Sequence, residues 1–264
     1  LIIYKYIEKE FNKLKLDWTR LGVSLIGEFF LYFPYMTLNM CDSIDKWKRL
    51  YVETVGISHD TYNNQDSIKN RISKIYGTFQ RALHGRRDID LVQRIRETNC
   101  FLDYIAKEIV SPLINGKQEW EDEHSYLRWH RASLNGIIQE CPITWKKGDR
   151  LTVGMAQKIV NLITKDLWAL GILPNDCTIF LHVPIDKIII KKIKDYCPRE
   201  FPQRISWTRI NNYDIYHTIQ QKFREYATQH TILSPIEFEN KIWLEHAKKL
   251  SGFSFTSTRP KKKD

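Results

Sequence analysis

Apolar residues recur three and four positions apart through most of this chain, and that period constrains the fold more than any other feature. It gives each segment one apolar stripe, as a core-facing helix requires, and not the strict alternation of a half-buried strand. Nine prolines and 11 glycines punctuate the runs. Helices are expected over about 3–16, 18–36, 42–54, 64–83, 88–110, 122–139, 153–169, 186–196, 212–230 and 235–250. Breaks fall at Ser111-Pro112 to Lys117, at Cys141-Pro142 to Asp149, and at Gly171 with Pro174-Asn175-Asp176. Ser234, Pro235 and Glu237 have the spacing of a capping box. The apolar run Cys177 to Val183 suits either a strand or a buried connector. The expected class is all-α, without an extended central sheet.

Hydrophobic residues make up 42% of the chain, enough for an ordinary core and too many for a disordered polymer. Forty-one Lys and Arg against 31 Asp and Glu leave a formal charge of +10, a surplus that favours polyanions such as nucleic acid. Cys41, Cys100, Cys141, Cys177 and Cys197 are odd in number and scattered, without zinc-knuckle or redox spacing. A reduced, cytoplasmic protein is the simplest expectation. The most apolar stretch, Leu21 to Met36, carries Glu28 and Pro34 and is too short to span a bilayer, so no membrane partner is expected.

The stretch from Asp149 to Lys191 carries the chemistry. Gly154 stands at a turn into a helix bearing Lys158, and 28 residues after Lys158 comes Asp186, closing His182-Val183-Pro184-Ile185-Asp186 at the start of another helix. Both residues are expected in first turns, where outward N–H groups and the helix dipole disfavour an ammonium ion and favour a carboxylate. A nucleophilic amine and an ionised acid are what such ends suit.

At these residues the sequence resembles the helix-hairpin-helix DNA glycosylase superfamily. There a hairpin leads into a helix with a catalytic Lys, and a Val-Asp-type segment supplies a catalytic Asp; Gly154, Lys158 and Val183-Pro184-Ile185-Asp186 stand in those roles. Ala156 replaces the usual glycine two residues before the lysine, so the hairpin is degenerate. The Lys–Asp separation exceeds that of compact members and calls for a connector such as 171–183. The resemblance implies a two-lobed helical bundle, with lobes at 1–118 and 119–258 and a basic tail at 259–264. It also implies excision of a damaged or modified base flipped out of double-stranded DNA by a monomer without a cofactor. Asp186 would stabilise the oxocarbenium-like transition state, and Lys158 would attack C1′ or line the pocket.

The remaining candidates surround that centre. Arg86 and Arg87, Arg128 and Arg131, and Lys146, Lys147 and Arg150 are placed to grip phosphates, with Gly154 in the hairpin. Trp145 and Trp168 lie nearest the site in sequence and, with His182 and Gln157, are candidate base-pocket residues. Trp120, Trp129 and Trp207 read as core. Arg224 and His230 match the Arg-x4–6-His spacing of HEPN ribonucleases, an alternative acting on RNA; a non-enzymatic DNA-binding protein is another. Glu119 to His124, with His130, gather possible metal ligands, but consecutive acids point apart, and no metal is expected.

Overall fold

A computed structural model describes residues 44–80, 91–140, 151–199, 205–231 and 233–251. All the regular structure among them is helical. Helix α1 covers 44–55. Then follow α2 (Gln65–Gln80), α3 (Leu91–Tyr104), a π-helical stretch (Ile105–Val110) and α4 (Ser111–Ile114). The second half holds α5 (Glu123–Glu140), α6 (Val153–Ala169), α7 (Lys187–Tyr196), α8 (Tyr213–His230) and α9 (Pro235–Ser251). These positions match the expected spans to within a few residues. The helices expected over 3–16 and 18–36 lie outside the described residues, as does the basic tail.

Helix α6 is the hub. Its residues are on average more apolar than those of α2, α3, α5, α7, α8 and α9, and its polar side, Gln157, Asn161, Lys165 and Asp166, is buried as well. Fourteen of its residues are buried, from Val153 to Trp168. Helices α2, α5 and α8 and the turn Trp207–Arg209 pack around it. One continuous core runs from Tyr62, Ile68 and Ile72 through Ile105, Tyr126 and Ile159 to Phe223 and Ile242. This core draws side chains from both sides of residue 118. A smaller cluster, Tyr51, Ile57 and Leu244, joins α1 to α9.

Two ion pairs lie between these clusters, both anchored on α6. Asp166 is fully buried and accepts from Arg71 Nε at 2.6 Å and Nη2 at 3.0 Å, from Tyr51 Oη at 2.6 Å and from Tyr62 Oη at 2.7 Å. Burial opposes the Arg71 charge, but Asp166 more than offsets it and holds the guanidinium well above its ordinary range. Burial also pushes both tyrosine hydroxyls up, and the Asp166 charge pushes them further. Lys165 Nζ meets Glu239 Oε2 at 2.6 Å and lies 4.4 Å from the centroid of the Tyr51 ring. Desolvation depresses the lysine and raises the glutamate, each partly restored by its partner. Such pairs seldom add net stability, but either member alone would be a costly buried charge, so they fix how α1, α2 and α9 meet α6.

The run Cys177 to Val183 is a connector rather than a strand. Asn175–Ile179 forms a 3₁₀ turn, and the chain then runs buried and without regular secondary structure from Leu181 to Ile185. No neighbouring strand serves its backbone; helix side chains do so instead. The capping box of α9 is half formed, with Ser234 N–H donating to Glu237 Oε2 at 2.7 Å. Among the described residues no helix is long and apolar enough to cross a membrane. Cys100, Cys177 and Cys197 form no disulfide.

Candidate functional site

The site is built where the connector reaches α6. Five buried residues outside any helix, Leu181 to Ile185, carry backbone groups that need partners. Val183 N–H donates to Gln220 Oε1 at 3.1 Å, and Val183 C=O accepts from Gln220 Nε2 at 2.7 Å and Asn161 Nδ2 at 2.9 Å. Ile185 N–H donates to Gln157 Oε1 at 3.1 Å, and its C=O accepts from Gln157 Nε2 at 2.8 Å. His182 N–H donates to Tyr126 Oη at 2.9 Å. Three side-chain amides thus replace the sheet partner that a buried non-helical segment would otherwise use. They hold the backbone just before Asp186 in register with α6.

Asp186 is the N-cap of α7. Its Oδ1 accepts from Ile188 N–H at 2.8 Å and Ile189 N–H at 3.2 Å. That leaves Oδ2, which takes Lys158 Nζ at 3.0 Å. Their side chains are 12% and 16% exposed, respectively, so the pair is mostly buried but keeps an edge at the surface. Asp186 occupies the helix end expected of it. Lys158 does not: Thr152 is the N-cap of α6 and Val153 its first residue, which places Lys158 in the second turn. The charge facing its ammonium is therefore the Asp186 carboxylate rather than the first-turn N–H groups.

Gly154 positions a third group. Its N–H donates to Ile210 C=O at 2.8 Å, and Thr152 Oγ1 donates to Thr208 C=O at 3.0 Å. A Cβ at 154 would run into the carbonyl of Trp207. Glycine is required here so that the Trp207–Arg209 turn can lie directly on the start of α6. Docked in this way, the Trp207 ring stands 5.7 Å from Lys158 Nζ. Gly154 is thus a packing residue rather than an open DNA contact. Trp207, expected in the core, is half-buried beside the amine.

Three base-pocket candidates are interior. Trp168, His182 and Gln157 have no exposed surface, and Gln157 is committed to the backbone of Gly154 and Ile185. Burial is the reason none lines an open pocket in this conformation. Trp145, Lys146, Lys147, Arg150, Arg86 and Arg87 lie outside the described residues. Arg128 and Arg131 are exposed on α5, and Arg131 faces Asp214 at 3.6 Å and the Tyr213 ring.

Behind the connector, His130 and His182 meet edge to face at 4.6 Å between ring centroids, among Tyr126, Tyr213, Tyr216 and His217. Tyr216 Oη meets His182 Nδ1 at 2.9 Å, and His130 Nε2 meets Asn161 Oδ1 at 2.8 Å. Burial pushes His130 down to about 4, against the hydrogen bond to Asn161, and pushes His182 well below its ordinary value.

The other constellations do not assemble. Arg224 donates to the carbonyls of Ile179 and Phe180, the latter at 2.7 Å, and His230 Nδ1 lies 2.8 Å from Tyr226 C=O. Arg224 ties α8 to the connector and His230 supports its own helix, and this accounts for both without a shared phosphate. Glu119, Glu121, Asp122, Glu123 and His124 are exposed whereas His130 is buried. Among the described residues no three His, Cys, Asp or Glu side chains gather as a metal would require. Comparison with protein-family models, with curated proteins and with solved structures finds no match.

Proposed function

We propose that this chain is a DNA glycosylase that removes a damaged or modified base, with Asp186 and Lys158 as its catalytic residues. One observation carries the reading: two residues 28 apart in sequence meet as a partly exposed amine–carboxylate pair at a helix end. Loss of a base leaves positive charge on the deoxyribose, and the bond electrons depart with the base. A fixed carboxylate close to C1′ lowers the energy of that state because it needs no reorganisation as the charge develops. Asp186 is held by α7 through Oδ1, and its Oδ2, which accepts from Lys158 Nζ, is the oxygen that faces the sugar in this reading.

Lys158 donates a hydrogen bond to Asp186 Oδ2 and is the nucleophile of the bifunctional version. One ammonium proton passes to the departing base, so Asp186 stays ionised, and the amine nitrogen bonds to C1′ as the C1′–base bond breaks; a second proton then moves from that nitrogen to the ring oxygen, the C1′–O4′ bond opens and a Schiff base results. Trp207 is the flat face nearest the amine and offers a stacking surface to an extruded nucleotide. The chain's net charge of +10 supports duplex affinity that falls steeply with salt.

The test uses duplexes that each carry one oxidised, alkylated or otherwise modified base, read by released base and by abasic sites. Release from at least one duplex is expected. Borohydride trapping that disappears in Lys158→Ala assigns the nucleophile, whereas release without trapping assigns water and leaves Lys158 as the partner of Asp186. Duplex binding without release from any substrate would identify a non-enzymatic DNA-binding protein. Binding and cleavage confined to RNA would favour the ribonuclease alternative.

A further inference from the structure

A second polar concentration lies on α2. A cavity of about 280 Å³ opens between the end of α1 and the face of α2 that carries Ser67, Asn70, Arg71 and Lys74. These four positions are spaced as i, i+3, i+4 and i+7, so the helix sets a hydroxyl, an amide, a guanidinium and an ammonium along one wall. The opposite wall is the turn 55–58, where Gly56 has a φ of 68° and open space where a side chain would stand.

Two features distinguish this wall from an ordinary solvated face. Arg71 is buried and immobilised, because its Nε and Nη2 are fixed on Asp166 while the residue still lines the cavity. The Asp166 charge is already answered by Tyr51 and Tyr62 as well as by Arg71. Ser67 Oγ, the Asn70 side-chain amide and Lys74 Nζ, in contrast, make no hydrogen bond or ion pair among the described residues. The one carboxylate lining the cavity, Asp60, is exposed and accepts from Asn63 Nδ2 at 2.9 Å. One carboxylate against two cations does not make a metal site.

We infer that the α2 cavity binds a phosphomonoester, with Arg71 as its fixed cation, Lys74 as its mobile one, and Ser67 and Asn70 as neutral donors. A dianion with three acceptor oxygens matches that donor set. The volume is at the small end of ligand sites, which suits a phosphate with a sugar-sized group attached. Asp166 lies eight residues beyond Lys158 on α6, about 12 Å along the axis, so the site is separate from the proposed catalytic pair and does not depend on its chemistry.

The test is calorimetric titration of the whole chain with inorganic phosphate at constant ionic strength, with chloride as the comparison. Saturable one-to-one binding is expected, weakened at least about tenfold in Lys74→Ala and in Asn70→Asp. Both side chains are exposed, so circular dichroism should be unchanged in the variants; Arg71 is left intact because its loss would strand Asp166. Tighter binding of ribose 5-phosphate than of inorganic phosphate would identify a free sugar phosphate as the source. Preference for a 5′-phosphorylated oligonucleotide over its 5′-hydroxyl twin would identify a nucleic-acid end. Absence of saturable phosphate binding, or binding unaltered in both variants, overturns the proposal.

Discussion

Acidification should unfold this protein through His130 and His182 before it protonates many carboxylates. In the folded chain, burial holds His130 down at about 4, while an unfolded histidine titrates near its ordinary value of 6.5. Above 6.5 both states are neutral and the residue costs nothing. Below it the unfolded state takes up a proton that the folded state refuses, so stability falls until the pH reaches the folded value. Each pH unit inside that window removes about 1.4 kcal/mol, so His130 alone accounts for a loss of about 2 kcal/mol between pH 6.5 and 5.0. His182, pushed lower by burial and by its neighbour His130, adds a loss of the same sign. The rings around the pair belong to Tyr126, Trp129, Tyr213, Tyr216 and His217, and none carries a compensating negative charge in this range. Urea titrations at pH 7.5 and 5.0 measure the loss directly, and His130→Gln should shrink it by about 2 kcal/mol. An identical pH dependence in parent and variant would refute the assignment of acid sensitivity to His130.

Further substitutions probe the packing that builds the site. Gly154→Ala sets a methyl group against the backbone carbonyl of Trp207, which cannot rotate away; the expected cost is about 2–3 kcal/mol in a denaturant melt, and an unchanged midpoint would contradict the docking of Trp207–Arg209. Gly136→Ala is the control: its methyl meets only the hydroxyl end of Tyr104, which can swing aside, so stability should stay within about 1 kcal/mol of the parent. Asp166→Asn leaves Arg71 buried without its counter-charge and should cost about 3–5 kcal/mol. The double variant with Arg71→Met should lose less than the sum of the two single changes, and additivity would show that the pair does not act as a unit.

The helices were legible because their signals are local. Period, proline and glycine placement, and the Ser234-Pro235-Glu237 spacing all act within a few residues. The pairing of Lys158 with Asp186 follows from the resemblance, which gives both residues one catalytic centre, whereas the helix start expected of Lys158 was not found. The supports of the pair were not legible, because they depend on pairings across long sequence distances. Gln157, Asn161 and Gln220 look like ordinary polar helix residues until the buried connector presents Val183 and Ile185 to them. Polar side chains at i and i+4 inside an otherwise apolar helix were the one available hint, and at 157 and 161 it was present. Trp207 became a site residue only because Gly154 admits its turn, a contact spanning more than fifty positions. Arg71 likewise reads as one more surface cation until Asp166 buries it.

The central claim rests on Asp186, and single-turnover base release by Asp186→Asn tests it most directly. Asparagine is also a good N-cap, so α7 should keep its start and duplex binding should stay close to that of the parent. The account predicts that excision falls by at least about a hundredfold, because the charge facing C1′ is removed while the shape is kept. Excision at the parental rate by a folded Asp186→Asn protein would contradict it.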